Sequence, residues 1–390
     1  MSDTVRRLEL GIRRLLPAVT RQIFRSSNPG ALEPASVRRI LIIRQHNQLG
    51  DMLCVVPLLR ALRASMPGAE IDLLASPVNA DIMRHHSLLD EVLLYDKKEY
   101  LGPLGIRIGR IRRLAKDLRR RNYDIVAVPS TVSMSLTSDI LAALTGAAFR
   151  FGPGSIDGVS NPGAFLYNNA VDLDWRSTPM RHQTLRNADL LAGVVGVPED
   201  LSHELTLTAS ELLDVKEEVY RLRKGKTHLV AIHPGAGKAP NRWPAEHFAR
   251  LASWLESEMG AATFATIGPM DQEVHHQLQS ILGNQIEYVV NKPIRTIASI
   301  LSYVKLLVAN DTGIMHVGAA VGAPLISLFG PTEPCQWAPI GPRSRYIHGD
   351  PISAIPVEEV ASIARGMLNE VLTQPGGGGR DRPALPREHR

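Results

Sequence analysis

Residues 305–335 read KLLVANDTGIMHVGAAVGAPLISLFGPTEPC, and the fold of the whole chain can be inferred outward from them. An apolar run at 306–309 ends in the turn Asn310-Asp311-Thr312-Gly313, and small residues then lead to a second apolar run, Leu325–Phe329. The pattern predicts strand, turn, helix and strand, with a helix small enough to lie close to its sheet. Backbone N–H groups at the start of such a helix can face an anion. The stretch therefore indicates a phosphate-binding βαβ unit of a nucleotide-binding fold.

The overall composition is that of a folded protein with two domains. A chain of 390 residues is long for a single core, and 44% hydrophobic with 21% charged residues is ordinary for a globular protein. The net charge of +5 suits nucleic acid, anionic lipid or a phosphorylated substrate, and does not choose among them. Cys54 and Cys335 form no CxxC pair, so neither a disulfide framework nor a zinc cluster is indicated. We expect a reducing, cytosolic environment, without a transmembrane span or a signal peptide.

Strands alternate with helices in two successive series. The first series has predicted strands at 40–43, 71–75, 91–95 and 125–128, and the second at 229–233, 262–267, 287–289, 306–309 and 325–329. Such alternation predicts an α/β fold with two parallel, doubly wound sheets in tandem. Ligands of such sheets bind at the carboxyl ends of the strands, which predicts a cleft between the domains. Residues 150–205 are predicted to be irregular, with loops and a helix from about 182 to 195.

The chain divides into five predicted parts. They are a basic amphipathic segment and linker (1–37), a first Rossmann-like domain (38–223), a second (224–350), a C-terminal helix (351–373) and a disordered tail (374–390). Residues 4–25 place apolar side chains at spacings of three and four, among six arginines. A helix of this kind can lie on an anionic membrane surface or pack against its own domain or a partner subunit. The amphipathic pattern does not choose between the two.

Several well-known motifs fail in this chain. Gly225-Lys226-Thr227 resembles the end of a P-loop, but the position five before Gly225 is Tyr220 instead of glycine. No GxGxxG follows a predicted strand, which disfavours an oxidoreductase on paired dinucleotide-binding domains. There is no HExxH, and the adjacent pairs His85-His86 and His275-His276 do not share a helix face. The sequence therefore predicts no metal site.

Three junctions between a strand and a helix carry better signals. At the first, Asp51 follows Gly50 and is either a helix N-cap or a general base facing the cleft. At the second, a glycine-rich loop before a helix supplies Gly235, Lys238, Asn241 and Arg242, and is either an anion site or a plain polar loop. At the third, Asp311-Thr312-Gly313 is followed one turn later by His316, which alone is more often a satisfied helix histidine than a ligand.

These junctions, in this order, resemble glycosyltransferase family 9, the heptosyltransferases of lipopolysaccharide core assembly. The resemblance lies in IRQHNQLGDMLCVVPLLRALRASMPGAEIDLL, HPGAGKAPNRWPAEHFARLA and NDTGIMHVGAAVGAPLISLFGPTEPCQWAP, of which the last is the most specific. It runs from about residue 40 to residue 337 and is weakest between 100 and 210. It implies a GT-B fold: two Rossmann-like domains with parallel sheets facing across a cleft, acceptor domain first and nucleotide-sugar domain second.

The resemblance also implies roles for single residues. Asp51 resembles the catalytic base, and Thr312 and Gly313 resemble the contacts to the diphosphate. Asp311 and His316 resemble residues around the donor sugar and phosphate, and Asp271 resembles an acidic position that meets the nucleoside. The chain departs from the family pattern at Asn241, where many members have lysine, so Lys238 or Arg242 would supply the positive charge.

We therefore expect an inverting, metal-independent glycosyltransferase that uses a nucleotide-diphosphate sugar, ADP-heptose or a relative, as substrate and needs no cofactor. The acceptor would be a hydroxyl of a lipopolysaccharide core or another lipid-linked saccharide. The enzyme would lie peripherally on the inner face of the cytoplasmic membrane, with no nucleic acid as partner. The alternative is a non-catalytic nucleotide-sugar-binding protein or sensor on the same fold, because a fold does not fix a function.

Overall fold

The computed structural model describes residues 30–46, 48–102 and 105–373. The predicted amphipathic helix at 4–25 and the predicted disordered tail at 374–390 lie outside these residues. Strands of the first half are β1 (Arg39–Arg44), β2 (Glu70–Ala75), β3 (Glu91–Leu94), β4 (Leu101–Gly102), β5 (Gly105–Ile106), β6 (Ile125–Ala127), β7 (Phe149–Ile156), β8 (Val159–Ser160) and β9 (Asn169–Leu173). Strands β4 and β5 pair only with each other, and the rest form one sheet.

The first sheet has the doubly wound arrangement that the sequence predicts. Its order is β3-β2-β1-β6-β7, and β7 also pairs with β8 and β9. All of these pairs are parallel except β7 with the short β8. Strand β1 is central because its run Ile40–Ile43 is wholly apolar and is buried on both faces of the sheet. The strand order switches between β1 and β6, so a ligand crevice is expected at the carboxyl end of β1.

The second half repeats this design. Its strands are β10 (Leu229–His233), β11 (Ala262–Ile267), β12 (Glu287–Val290), β13 (Leu306–Asn310), β14 (Leu325–Phe329) and β15 (Ser344–His348). The order is β12-β11-β10-β13-β14-β15, and every pair is parallel. The order switches between β10 and β13, which are the strands that end in the two predicted donor loops.

Helices cover both faces of the sheets. In the first half they are α1 (Leu49–Leu53), α2 (Val56–Ser65), α3 (Pro77–Met83), α4 (Lys97–Tyr100), α5 (Ile108–Arg120), α6 (Leu136–Thr145) and α7 (Gln183–Asp189). They continue as α8 (Ala209–Asp214), α9 (Lys216–Arg223), α10 (Ala245–Glu258), α11 (Gln272–Leu282), α12 (Ile294–Leu301), α13 (Gly313–Ala320), α14 (Pro334–Trp337) and α15 (Val357–Thr373). Single 3₁₀ turns occur at Pro34–Ser36, Ala164–Leu166, Ala239–Asn241 and Ile352–Ala354. No helix among the described residues is long and apolar enough to cross a bilayer.

The prediction of irregular structure over residues 150–205 is wrong in its first part, where β7 and β9 pair in parallel. Gly152-Pro153-Gly154 suggests a turn by sequence, but it lies inside β7, and the register shifts between Pro153 and Ser155. A β-carbon on Gly152 would lie 2.0 Å from Cζ of Tyr167, so the glycine gives the aromatic ring room to cross the strand. The predicted helix at 182–195 is shorter, Gln183–Asp189.

Residues on the N-terminal side of the predicted boundary at 223 contribute to the core of the second half. Val215, Val219 and Leu222, which precede that boundary, belong to the apolar core beneath the second sheet. Helix α15 packs on the other face of that sheet through residues such as Val360 and Leu368. The segment between α7 and α8 also contacts the second half, since the backbone N–H of Leu205 donates to the carbonyl oxygen of Ala320 at 3.1 Å.

Candidate active site

The loop after β1 places Asp51 in a buried ion pair. Nη2 of Arg44, the last residue of β1, lies 2.9 Å from Oδ1 of Asp51, and the two side chains are only 9% and 10% exposed. Arg44 also donates from Nη1 to the carbonyl oxygen of Pro129. The N-cap of α1 is Gln48, and Asp51 lies in the first turn. The interpretation of Asp51 as a helix N-cap is therefore wrong.

Burial and charge act in opposite directions on this carboxyl. Burial raises the pKa of Asp51, and the neighbouring Arg44 guanidinium and His46 pull it back toward the ordinary value. Burial likewise lowers the pKa of Arg44, while Asp51 opposes that change. A buried carboxylate with a raised pKa is a better proton acceptor than an exposed one. The guanidinium of Arg44 favours the ionised form of Asp51. Sequence reasoning missed this role of Arg44, although a cation at the end of a buried strand is an unusual feature in a sequence.

The glycine-rich loop after β10 packs against Asp271. A β-carbon on Gly235 would lie 2.2 Å from Oδ1 of Asp271, so glycine permits this approach. Asp271 is 7% exposed and accepts a hydrogen bond from the backbone N–H of Gly268 at 2.8 Å. Asn310, at the end of β13, holds the loop by donating to the carbonyl oxygen of Pro234 at 2.8 Å. The predicted nucleoside residue is thus fixed beside the predicted phosphate loop.

Asn241 joins the second and third junctions. Its Nδ2 donates to Oδ2 of Asp311 at 2.8 Å and to Oγ1 of Thr332 at 3.1 Å. Burial raises the pKa of Asp311, whereas Thr332 and the charge of Lys238 lower it. The uncharged amide of Asn241 thus gives the carboxylate of Asp311 a hydrogen-bond donor, whereas a lysine at this position would form an ion pair with it.

The two predicted cations of this loop are placed differently. Arg242 donates from Nε to the carbonyl oxygen of Ala236 at 3.0 Å, and its Nη1 lies 3.5 Å from Oε2 of Glu273. Its guanidinium is therefore turned toward its own loop and α11. Lys238 is exposed and close enough to Asp311 to lower the pKa of that carboxyl. Lys238 is the better candidate for charge near the third junction.

The third junction begins helix α13 without a side-chain cap. Thr312 is the N-cap residue, with extended backbone, and its side chain makes no capping hydrogen bond. The first backbone N–H groups of α13 thus have no side-chain partner at the cap position, which is the arrangement that favours an anion. Met315 packs in the apolar core of the second sheet, whereas Val317 and Ala320 belong to the apolar core of the first half, so the helix is held between the two halves.

The first and third junctions meet directly across the two halves. Helices α1 and α13 are in contact, and each presents a glycine at the seam. A β-carbon on Gly50 would lie 2.6 Å from Cδ2 of His316, and one on Gly313 would lie 3.1 Å from Cβ of Leu49. The residue before the predicted base therefore touches the helix predicted to hold the diphosphate. Side chains larger than hydrogen would separate these helices.

His316 belongs to a buried array that sequence reasoning did not find. Cys54 Sγ lies 3.7 Å from Nε2 of His203, and the Nδ1 atoms of His203 and His316 are 3.4 Å apart. Burial lowers the pKa of His316 to about 3 and that of His203 well below the ordinary value, and burial raises the pKa of Cys54. Both imidazoles are therefore neutral at physiological pH, so His316 offers a hydrogen bond and no charge.

The same three residues could hold a metal ion, since one ligand atom of each can be chosen so that all lie within 4.8 Å of one another. The observed contacts are also those of a hydrogen-bonded chain, in which His203 directs one ring nitrogen toward Cys54 and the other toward His316. The array orients His316, and its members come from three distant segments of the chain.

A second contact holds the halves together away from this seam. The buried side chain of Arg295, in α12, donates to the carbonyl oxygens of Asp81 at 3.1 Å and Arg84 at 3.2 Å in the first half. It also donates to the carbonyl oxygen of Thr206 at 2.7 Å and pairs with Glu211. Arg295 thereby joins both halves and the connecting segment at one point.

The chain is similar in sequence to known glycosyltransferases. The sequence profile of glycosyltransferase family 9 (heptosyltransferase) matches residues 111–363. The chain is 26% identical over 319 residues to lipopolysaccharide heptosyltransferase 2 of Salmonella typhimurium, covering 79% of this chain and 87% of that protein. It is also 26% identical over 313 residues to lipooligosaccharide heptosyltransferase 2 of Haemophilus influenzae, covering 77% and 85%.

Solved structures show the same fold. The family 9 glycosyl transferase of Veillonella parvula superposes with a TM-score of 0.73 at 23% identity, covering 88% of this chain and all of that one. The ADP-heptose LPS heptosyltransferase II of Escherichia coli gives a TM-score of 0.72 at 22% identity, covering 86% and 100%. The fold is GT-B, with two Rossmann-like domains facing across a cleft. With the profile spanning well over half of its residues, the chain belongs to glycosyltransferase family 9, the heptosyltransferases.

Proposed function

We propose that this glycosyltransferase moves heptose from ADP-heptose to a hydroxyl of a lipopolysaccharide-core or other lipid-linked saccharide, with inversion and without a metal ion. The names of the relatives support heptose and a lipopolysaccharide acceptor, and the name of the Escherichia coli structural neighbour supports ADP-heptose. We further propose that the enzyme acts peripherally at the inner face of the cytoplasmic membrane. The observation that carries the proposal is the contact between helix α1, which carries Gly50 and Asp51, and helix α13.

In the proposed reaction Asp51 is the general base. As the acceptor oxygen forms its bond to the anomeric carbon, Asp51 takes the hydroxyl proton, and the bond from that carbon to the diphosphate oxygen breaks on the opposite face. Attack opposite to the leaving group inverts the anomeric centre. The ion pair with Arg44 keeps Asp51 ionised before the transfer.

The leaving nucleoside diphosphate would be stabilised by the second domain. Backbone N–H groups at Thr312 and Gly313 and the charge of Lys238 would meet the developing negative charge, so the protein itself would supply the electrostatic stabilisation. Gly235 would let the chain approach the phosphates closely, and Asp271 would face the nucleoside. Neutral His316 would donate or accept a hydrogen bond near the donor sugar.

The test is a donor panel with the purified full-length chain. ADP-heptose, UDP-glucose and GDP-mannose are each supplied with a heptose-deficient lipopolysaccharide acceptor, and nucleotide release and the anomeric configuration of the product are measured. The proposal predicts ADP release, one heptose added and an inverted linkage. A product that retains the anomeric configuration would overturn the proposed inversion. Transfer only from a donor other than ADP-heptose would overturn the proposed donor.

One observation favours the alternative of a non-catalytic nucleotide-sugar-binding protein or sensor. Asn241 stands where many family members have lysine, and it hydrogen-bonds Asp311 without contributing charge. In the same panel this alternative predicts that ADP-heptose binds, as seen by calorimetry, and that no ADP is released with any acceptor.

A further inference from the structure

The first domain carries an unusually basic helix, α5, whose charge the proposed reaction does not use. Residues 107–121 contain eight lysines and arginines and one aspartate, a net +7, whereas the whole chain has +5. The rest of the chain therefore sums to −2, although residues 4–25, with six arginines, form a second basic segment. Only Ala115 and Leu118 of α5 are buried, so the cationic side chains lie on its outer face.

Some of these cations are neutralised by neighbours. Arg121 pairs with Glu91 and Asp72, with distances of 2.6 Å and 3.1 Å. Arg110 lies 3.4 Å from Glu99.

Four others are exposed and have no ion-pair partner among the residues that the structure describes, namely Arg112, Arg113, Lys116 and Arg119. We call these four the α5 basic surface. The one acidic residue of the helix, Asp117, lies 3.9 Å from Arg120.

The α5 basic surface lies on the domain that presents Asp51, and the first turn of its helix contacts α4, where Arg110 lies 3.4 Å from Glu99. Helix α4 contacts α5 and carries Lys97, which is close enough to His46 of the catalytic loop to lower the pKa of that imidazole further, in addition to burial and Arg44. Ile108, in the first turn of α5, is 61% exposed, and Leu94, the last residue of β3, is 56% exposed. Cations beside exposed apolar side chains are typical of surfaces that meet lipid headgroups.

We propose that the α5 basic surface docks the acceptor domain on an anionic lipid bilayer, with the crevice held near the membrane. The charge complementarity favours this partner, because the cytoplasmic leaflet has a negative surface potential that attracts clustered Lys and Arg. The role of this docking in the transfer reaction rests on the proposed lipid-linked acceptor. Vesicle binding itself is measured without any transfer, so the two proposals can fail separately.

The test compares variants of the full-length chain by sedimentation with vesicles. Vesicles are made of phosphatidylcholine alone or with phosphatidylglycerol, at physiological salt. The variant Arg112→Gln, Arg113→Gln, Lys116→Gln removes three cations from α5. Each cation near an anionic surface changes the partition coefficient roughly fivefold, so we expect a loss of about one hundredfold on anionic vesicles.

A matched control removes three exposed cations from the second domain, Lys292→Gln, Arg343→Gln and Arg345→Gln. The control and the α5 variant have the same net charge, and both retain residues 1–29. We expect it to bind anionic vesicles within about threefold of the parent chain, because charge far from the bilayer is screened over roughly 8 Å.

Equal losses in the α5 variant and the control would overturn the proposal, as would parent-like binding by the α5 variant. Parent chain that binds a single-stranded oligonucleotide but no anionic vesicle would overturn it in favour of a nucleic-acid surface. With a water-soluble acceptor the α5 variant is expected to transfer at the parent rate. With an acceptor embedded in anionic vesicles its rate should fall along with binding.

Discussion

The ion pair between Arg44 and Asp51 makes a quantitative prediction about pH dependence. Replacing Arg44 with Met removes the guanidinium that lies 2.9 Å from the carboxylate, while burial of that carboxylate remains. An opposite charge at such a distance lowers the pKa of a carboxyl by about 1–3 units. The pKa of Asp51, already raised by burial, should therefore rise by that amount in Arg44→Met.

The assay is kcat/KM for transfer as a function of pH. A general base acts only when deprotonated, so the rate falls on the acidic side with the pKa of the base in the free enzyme. The acidic limb of Arg44→Met should move upward by about 1–3 pH units. Arg44→Lys keeps a cation and should leave the limb close to its original position.

Folding of the variant is followed by circular dichroism and thermal unfolding, with ADP binding as a check on the second domain. Breaking a buried ion pair costs about 3–5 kcal/mol, and the cost should shrink at low pH because protonated Asp51 carries no charge. A folded Arg44→Met protein that binds ADP and shows an unmoved acidic limb would refute the role of Arg44 in setting the ionisation of Asp51.

Other predictions concern the seam, the second interdomain contact and metal ions. Gly50→Ala places a methyl group against His316 and should lower the free energy of unfolding by about 1–3 kcal/mol, with loss of transfer. The control Gly366→Ala, in open space on α15, should raise it by up to about 1 kcal/mol. Equal denaturation midpoints for the two variants would contradict the close packing at Gly50. Arg295→Met should cost about 3–5 kcal/mol in unfolding free energy, and Arg221→Met, which breaks exposed ion pairs, less than about 1 kcal/mol. Transfer should be unchanged by EDTA, and restoration of a lost rate by an added divalent ion would contradict metal independence.

The local parts of the site could be predicted from sequence because they lie at strand ends. A wholly apolar run such as 40–43 or 306–309 predicts a buried parallel strand, and polar residues just after it must lie at the carboxyl edge. Asp51, Gly235, Asp311 and Thr312 follow such runs, and the structure places them after the ends of β1, β10 and β13.

The contacts between distant segments could not be predicted. The array of Cys54, His203 and His316 brings together three segments that local periodicity does not relate, and it forms only when the two domains pack. The same holds for Gly50, whose missing side chain matters because His316 lies against it. Strand β7 escapes prediction because glycine at 152 indicates a turn by local rules, although here it makes room for Tyr167.

The most direct test of the account is transfer by Asp51→Asn, measured beside its affinity for ADP. Asparagine keeps the size of the side chain and removes its ability to take a proton. The account predicts that the transfer rate falls by at least about 10²-fold, while ADP binds as tightly as before, because the predicted diphosphate contacts are in the second domain. A transfer rate close to that of the parent chain in Asp51→Asn would contradict the assignment of Asp51 as the catalytic base.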